Sequence, residues 1–280
     1  MKNPIYPCLW FDANAKAAAD FYCSIFNNSK IKSENPMVVI FELEGKKIMG
    51  LNGGPMFKIN PSISFFVSCS TDHEIEELWK KLSDGGSQLM PLDKYPWSEK
   101  YAWVRDKFGM TWQLMKEELE AGAPKIKLAF LFSNKQFGKG VEAVDFYTSV
   151  FPNSKIHEMN LYGKEAPQTE GNLMFGEFDL GGEFFAAMDG PGNHEFDFNE
   201  GLSLVVNCDS QEEIDNYWNI FTKDGGQESM CGWLKDKYGV SWQIVPSILG
   251  ELMNNPQKSE RVVNAFMKMK KFNIEQLLNA

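Results

Sequence analysis

The sequence contains little that would serve a nucleic-acid or a membrane partner. Its 280 residues carry 28 Lys and Arg against 38 Asp and Glu, which gives a formal net charge of −10. Proteins that bind nucleic acid by neutralising phosphates need a concentrated basic surface, and the most basic stretch here is the short "KMKK". No segment approaches the roughly 20 apolar residues that cross a bilayer. The start "MKNPIYPCLW" also lacks the charged head and long apolar run of a secretory signal. We therefore expect a cytoplasmic protein without a nucleic-acid or membrane partner.

Residues that bind metals or form disulfides are also scarce. The five cysteines are scattered and form no CxxC pair, so the sequence indicates neither a disulfide framework nor a thiolate zinc site. Of the three histidines, His194 is the one considered for a metal, because Glu195 and Asp197 of "HEFD" follow it in a loop-like stretch. A solvated surface histidine is the preferred interpretation of His73, His157 and His194, and a metal at "HEFD" is the alternative.

What the sequence does contain is a repeat. "DFYCSIFNNSKI" at residues 20–31 recurs as "DFYTSVFPNSKI" at residues 145–156, with nine of twelve residues identical. Further blocks recur in the same order, among them "WVRDKFGMTWQLM" and "WLKDKYGVSWQIV". Such self-similarity indicates a tandem duplication. We assign the first domain to residues 1–119, the second to 125–246 and a C-terminal helical tail to 247–280.

Each repeat has the pattern of two βαβββ modules. Apolar residues at helical spacing follow the first and fifth strands, and the other segments alternate as strands do. Asp106 opens the turn "DKFG" and Gly109 closes it, as expected for a type I turn that leads into a left-handed residue. We interpret Asp106, and Asp236 in the second repeat, as turn formers and not as catalytic acids. The prediction is an α+β fold in which the two modules of each repeat form one curved mixed sheet, with helices on its convex face.

The sequence also resembles a known superfamily. "PCLWFDANAKAAADFYCSIFNNSKI", "FELEGKKIMGLNGGP" and "DKFGMTWQLM" are similar to the vicinal oxygen chelate superfamily of glyoxalases, bleomycin-resistance proteins and extradiol dioxygenases. The similarity is greatest to its PhnB-like branch, whose domain carries the label demethylubiquinone methyltransferase. It covers both repeats and implies a tandem duplication of glyoxalase-like domains.

In that superfamily the cup binds a divalent metal through four side chains, and the resemblance assigns those positions in this chain. Only the last position keeps a side chain with ligand chemistry here, and a neutral amide alone is a poor metal ligand. No cofactor is therefore predicted, although a divalent metal stays an alternative. The implied positions are Pro7, then Gly50 or Ala187, then Ser62 or Gly201, and finally Gln113 and Gln243.

The predicted turn determines which side chains face the cup. If "DKFG" forms the whole turn, Trp103 lies opposite Trp112 and the two rings share the convex face. Because side chains alternate along a strand, Gln113 then points into the cup, as does Thr111.

The same count in the second repeat places Ser241 and Gln243 in its cup, behind Trp233 and Trp242. One interpretation of each glutamine is a buried amide that neighbouring backbone satisfies, because an unpaired amide would be costly. The other is a hydrogen-bonding anchor for a small polar ligand, and the sequence leaves the two even.

Three further residues are weaker ligand candidates. Trp10 lies in the first strand, and Asn52 and Asp189 end fourth strands before glycine-rich turns. Core packing and turn chemistry explain these three residues better. The first repeat also contains the longer, aromatic segment "SQLMPLDKYPWSEKYA", which we expect to act as a rim or lid of its cup.

Three functions remain open, and no catalytic residue is assigned. The first is a PhnB-like protein of unknown substrate that binds a small polar organic molecule in a cup without a typical divalent metal site. The second is a divalent-metal-dependent lyase, isomerase or dioxygenase of the glyoxalase type. The third is a demethylubiquinone methyltransferase, which rests on the family label alone, because no glycine-rich loop lies between a strand and a helix. The chain is expected to be a monomer or a homodimer.

Overall fold

The computed structural model describes residues 5–119, 122–166 and 169–280. Part of the seam "LEAGAPKIK" and part of the insertion "HEMNLYGKEAPQTEGNLM" lie outside these ranges. None of the helices in the described ranges is long and apolar enough to cross a membrane.

The described residues form sixteen strands and seven α-helices in the predicted order. The strands are β1 (Tyr6–Phe11), β2 (Ser29–Glu34), β3 (Val38–Leu43), β4 (Lys46–Asn52), β5 (Ile63–Cys69), β6 (Ser87–Tyr95), β7 (Ser98–Arg105), β8 (Thr111–Lys116), β9 (Ile126–Phe132), β10 (Lys155–Leu161), β11 (Leu173–Leu180), β12 (Glu183–Asp189), β13 (Leu202–Cys208), β14 (Gln227–Glu228), β15 (Trp233–Lys235) and β16 (Ser241–Pro246). The helices are α1 (Ala15–Ile25), α2 (Asp72–Ser83), α3 (Gly140–Val150), α4 (Gln211–Thr222), α5 (Leu249–Asn254), α6 (Ser259–Phe266) and α7 (Ile274–Leu278).

The strands form two eight-stranded mixed sheets, and each sheet takes four strands from each repeat. The first has the order β14-β15-β16-β13-β1-β4-β3-β2, and the second has the order β10-β11-β12-β9-β5-β8-β7-β6. Antiparallel pairing of β1 with β13 and of β5 with β9 joins the repeats. The α+β class with βαβββ modules is confirmed. The expected pairing of modules within one repeat is wrong, because the modules pair across the repeats.

The two modules of one repeat meet instead on their helix-covered sides. Tyr22 and Phe26, both from the repeated "DFYCSIFNNSKI", have ring centroids 5.2 and 5.4 Å from Trp112 of β8. In the second repeat, Tyr147 lies 5.6 Å from Trp242 in the same way. These aromatic contacts join helix α1 to the second sheet and α3 to the first, so they form the core of each repeat.

A buried aspartate reinforces each of these cores. Asp236 Oδ2 accepts hydrogen bonds from the Tyr147 hydroxyl and the Trp242 indole, both at 2.8 Å. Its Oδ1 accepts from the backbone N–H groups of Tyr238 and Val240. Asp106 has the corresponding four partners in the first repeat. The interpretation of both aspartates as turn formers is therefore confirmed.

The turn is one residue longer than the sequence analysis assumes. The Gly109 N–H donates to the Asp106 carbonyl at 3.0 Å, and the Asp106 N–H donates to the Met110 carbonyl at 2.9 Å. Gly109, with a φ of 92°, is therefore an extra left-handed residue, as in a G1 bulge. It shifts the register so that Trp103 pairs with Gln113.

This shift corrects the predicted orientation of two tryptophans. Trp103 pairs with Gln113, and Trp233 pairs with Gln243 in the second repeat. Both indoles therefore lie on the same side as the glutamines, whereas Trp112 and Trp242 alone face the helices. We call the face turned away from α1–α4 cup A in the first sheet and cup B in the second.

The C-terminal tail packs on the second repeat. Cys231 and Gly232 donate backbone hydrogen bonds to the carbonyls of Met269 and Lys270, both at 2.7 Å. Val262 and Leu277 are fully buried. The tail thus covers the start of β15 and the adjoining helix α4.

We expect Tyr147→Phe to lower the free energy of unfolding by about 1–3 kcal/mol, because it removes a donor to a buried carboxylate. Urea denaturation measures this change. Ser149→Ala is a matched control from the same repeated motif, since Ser149 is exposed and its hydroxyl donates, within the described part of the chain, to the Phe146 carbonyl alone. The control should stay within about 0.5 kcal/mol of the natural protein. Equal effects of the two substitutions would contradict the role given to Asp236.

Burial raises the pKa of Asp236 to about 6 in spite of its four hydrogen bonds. The unfolded chain has an aspartate pKa of about 3.9, so between these values the folded protein binds a proton that the unfolded chain releases. The stability from this group is full below about pH 4 and is lost as the pH rises through about 6. In urea denaturation at pH 4.5 and 7, the natural protein should therefore lose more stability than Asp236→Asn. Equal pH dependence of the two proteins would contradict this assignment.

Candidate functional site

The glutamine of cup B is held by two side chains. Gln113 Nε2 donates to Ser64 Oγ at 2.7 Å, and the Tyr101 hydroxyl donates to Gln113 Oε1 at 2.9 Å. Gln113 is only 3% exposed. The amide therefore points into the cup as predicted, and side chains, not backbone, satisfy it.

The glutamine of cup A lies beside a thiol. Gln243 Nε2 donates to Ser203 Oγ at 2.9 Å. Burial raises the pKa of the neighbouring Cys8 to about 12, although hydrogen bonds from Gln243 and Ser203 act in the opposite direction. Because the thiolate is the reactive form of cysteine, Cys8 is poorly suited to act as a nucleophile.

Each cup also contains a buried hydroxyl without a hydrogen-bond partner among the described residues. These hydroxyls belong to Thr111 in cup B and Ser241 in cup A, and both residues are at most 1% exposed. They occupy equivalent positions, two residues before the glutamine on the same face. A buried hydroxyl left unpaired costs about 1–3 kcal/mol. These two atoms are therefore the clearest candidates for ligand contact.

A cavity of about 140 Å³ adjoins Ser241 in cup A. Its wall includes an ion pair between Lys235 Nζ and Glu200 Oε1 at 2.9 Å. The other lining residues are Gln227, Glu228, Ser229, Trp233 and Leu234.

Trp10 lies on the cup side of β1, where it narrows cup A. Its ring centroid is 5.8 Å from that of Trp233 and 5.0 Å from that of Phe57. Its indole N–H donates to the Gly54 carbonyl at 2.7 Å. Trp10 therefore forms an aromatic wall of the cup, and its indole N–H already has an acceptor within the protein.

Asn52 and Asp189 lie outside the cups, contrary to their listing as ligand candidates by the sequence analysis. Asn52 Oδ1 accepts from the Ala15 N–H at 2.9 Å, at the start of α1. Asp189 accepts three backbone N–H bonds, including that of Gly140 at the start of α3. The alternation of β12 turns Asp189 toward the helices, beside the buried Ala187. The side chains of both residues accept hydrogen bonds from backbone N–H groups near helix starts and strand ends, as turn chemistry predicts.

The positions that the superfamily resemblance assigns to a metal do not converge in the cups. Pro7 pairs with Leu204 of the helix-side core, and Ala187 belongs to that core. A side chain at Gly50 would meet Ala15 in α1, 3.2 Å away. The side chains at these three positions therefore point toward the helices, and the adjacent residues on each strand face the cups.

The residues that do face the cups at this level provide a poor set of metal ligands. Beside Gln113 and Gln243 themselves, the cup-facing residues on the neighbouring strands offer one thiol and two hydroxyls, and no carboxylate or imidazole, which divalent ions prefer. Among the described residues, no group of three or more His, Cys, Asp or Glu side chains is arranged to hold a metal ion. The cup residues therefore do not fit the metal that the superfamily implies. They are Cys8, Met49, Ser203 and Gln243 in cup A, and Ser64, Ala129, Ala186 and Gln113 in cup B.

The "HEFD" segment has a structural partner. Asn134 Nδ2 donates to the His194 carbonyl at 2.9 Å and to Asp197 Oδ1 at 3.1 Å. The His194 ring nitrogen Nε2 lies 3.2 Å from the Pro191 carbonyl. These contacts hold the loop that contains "HEFD" in place, and they do not bring its histidine and carboxylates together as metal ligands.

The longer segment of the first repeat forms the hairpin β6–β7. Trp97 at its tip is 57% exposed, and its ring stacks on Tyr95 with centroids 5.1 Å apart. Tyr101, which holds Gln113, touches both rings edge-on. The hairpin is therefore linked to cup B through Tyr101, and its role as a rim or lid stays a prediction.

Sequence reasoning missed Trp103, Arg105 and Lys235 as cup residues. All three lie on β7 or β15 and follow from the register shift at Gly109 and its equivalent Gly239. The glycine that closes "DKFG" was the available signal, because a left-handed glycine after a type I turn commonly adds a bulge residue.

Comparison with known proteins agrees with this architecture. The sequence model described as 3-demethylubiquinone-9 3-methyltransferase matches residues 3–115 and 124–245. The chain belongs to this family. It contains two tandem copies of the family's domain, and its fold is that of the PhnB-like, glyoxalase-related proteins of the vicinal oxygen chelate superfamily.

Solved structures match at both the domain and the whole-chain level. A putative 3-demethylubiquinone-9 3-methyltransferase, PhnB protein, from Bacillus cereus is 33% identical over 40% of this chain and 98% of its own, with a TM-score of 0.38. A Staphylococcus aureus protein is 32% identical over 41% of this chain and 97% of its own, with a TM-score of 0.20. Glyoxalase I from Zea mays is 10% identical over 90% of this chain and 95% of its own, with a TM-score of 0.58. This last likeness concerns the fold alone. A search of curated proteins gave no match.

Proposed function

We propose that this PhnB-like protein binds a small polar organic molecule in the cups between its repeats, without a divalent metal of the superfamily type. The observation that carries the proposal is the pair of buried hydroxyls, Thr111 and Ser241, that lack a partner among the described residues. A ligand that hydrogen-bonds to them would recover the free energy lost by burying them unpaired. Gln113 and Gln243 lie on the same strands and face and would orient such a ligand.

The cavity of cup A indicates the scale of the ligand. Its volume of about 140 Å³ is close to that of engineered cavities that hold one benzene molecule, about 150 Å³. A molecule of roughly six to eight non-hydrogen atoms is therefore the expected size. The ion pair of Lys235 with Glu200 offers both donors and acceptors, so the ligand should be polar.

The proposal is one of binding, and it assigns no covalent step. The raised pKa of Cys8 keeps its thiol protonated at neutral pH. A glyoxalase-type reaction would need carboxylate or imidazole ligands for a metal ion, and the residues beside Gln113 and Gln243 do not offer them. Methyl transfer is named by the family description, and no feature of the cups favours it.

We expect Thr111→Val and Ser241→Ala to leave the ligand-free protein as stable as before, or more stable by up to about 1 kcal/mol, while weakening ligand binding. The physical reason is that each change removes an unpaired buried hydroxyl. Binding is measured by ligand-detected NMR with a panel of amides, polyols, carboxylates and amines of up to about ten non-hydrogen atoms.

Ser64→Ala is the matched control, because its hydroxyl accepts from Gln113. It should destabilise the ligand-free protein by about 1–2 kcal/mol. The proposal fails if no panel member binds the natural protein, or if the bound members bind both variants unchanged.

A further inference from the structure

We propose that cup B takes the oxyanion head of a small organic anion, either a carboxylate or a phosphate ester. The inference deepens the proposed function and rests on it. It concerns the donors presented by the hairpin β7–β8.

Three buried polar atoms on this hairpin have no hydrogen-bond partner among the described residues. They are Trp103 Nε1, Arg105 Nε and Thr111 Oγ1. Arg105 pairs directly with Thr111, and Trp103 occupies the next position on the same face. Directly paired side chains lie about 5 Å apart, and the next residue on the face about 7 Å away. The three atoms are therefore close enough to converge on one small group.

The chemistry of these atoms selects the ligand. An indole N–H and a guanidinium N–H can only donate, and a threonine hydroxyl can also donate. Three donors with one positive charge are best satisfied by a group that has several acceptor lone pairs and a negative charge. An amine offers too few acceptors, and an ammonium ion would be repelled by Arg105.

In cup A, the cationic side chain at the equivalent position has an ion-pair partner within the protein. Lys235 occupies the position equivalent to Arg105 and pairs with Glu200. The segments before β5 and β13 are equivalent, since Asn60 and Asn199 accept the same backbone bond in each. By that equivalence Pro61 of "NPSIS" replaces Glu200 of "NEGLS". Arg105 consequently keeps its charge available in cup B.

The rest of cup B determines the body of the anion. Phe66, Ala129 and Ala186 form a buried apolar cluster against Met115, Phe175 and Met188. An apolar body would therefore lie against this cluster, next to the polar hairpin.

The acidic residues of β11, and Glu117 after β8, have partners of their own and do not compete for Arg105. Glu177 and Asp179 lie on β11, where Glu177 pairs with the buried Lys127 and Asp179 with His157. Glu117 also lies near Lys127 and accepts from Ser68. Each of these three carboxylates therefore has a partner outside the hairpin β7–β8.

The test compares four probes with the same ring and different heads: benzoate, phenyl phosphate, benzamide and benzylamine. Titrations of the full chain are followed by the indole N–H resonances and by isothermal calorimetry at low ionic strength. We expect at least one anion to shift the Trp103 indole resonance and to bind at least about tenfold more tightly than the amide and the amine. The stronger of the two anions identifies the head group.

Arg105→Met should weaken anion binding at least about tenfold, whereas the matched change Arg261→Met, at an exposed position of α6 outside both cups, should alter it less than about twofold. Arg105→Lys should restore part of the affinity. An unchanged indole spectrum elsewhere shows that each variant is folded. Thr111→Val provides a second test, because it should weaken anion binding without loss of stability.

The inference would be overturned if Arg105→Met left anion binding unchanged, or if neither anion shifted the Trp103 resonance. Benzamide or benzylamine binding as tightly as the anions would also overturn it. In that last case the proposed function would stand if binding still depends on Thr111. Failure of the whole panel of small polar molecules, by contrast, would remove the proposed function itself.

Discussion

The fold depends on antiparallel pairing between the two repeats. β1 pairs with β13 and β5 pairs with β9, so each sheet is continuous only when both repeats contribute. The cups therefore lie at the junction between repeats. Cup B illustrates the consequence, because its polar hairpin comes from the first repeat and part of its apolar floor, including Ala129 and Ala186, comes from the second. A ligand bound there would contact both repeats.

The same arrangement explains why one short motif recurs. In "DFYCSIFNNSKI" and its copy, the tyrosine hydroxyl reaches a buried aspartate of the following module, and the tyrosine and phenylalanine rings pack on that module's tryptophan. The motif thus fastens the two modules of a repeat through their helix sides, while the strand edges pair with the other repeat. The aspartate also fixes the turn whose bulge places Trp103 and Arg105 in cup B.

Much of this could be predicted from the sequence, because local patterns determine local structure. The duplication, the order of strands and helices and the cup-facing direction of Gln113, Gln243, Thr111 and Ser241 follow from repeat matching and strand alternation. The direction of Trp103 does not follow from alternation, since a single extra residue at Gly109 reverses the face of the whole preceding strand. Asn52 and Asp189 looked like site residues because polar groups at strand ends serve both ligands and helix starts.

The strand that pairs with β1 could not be predicted from local sequence patterns, for a different reason. β5 and β13 are copies of the same strand, and Ser64 of one corresponds to Ser203 of the other. Nothing in their hydrophobic pattern distinguishes pairing within a repeat from pairing across repeats. The choice is made by packing over the whole chain, which places the two modules of a repeat against each other on their helix sides.

Disulfide formation by Cys8 tests directly whether the modules pair across the repeats or within each repeat. Cys8 pairs with Ser203 across the repeats, at a Cα separation expected to be about 5.5 Å, within the range a disulfide spans. The account predicts that Ser203→Cys, after mild oxidation, forms a disulfide with Cys8, identified by non-reducing peptide mapping, and that Ser64→Cys does not. A disulfide between Cys8 and position 64, with none at position 203, would show that the cups form within each repeat and would contradict the account.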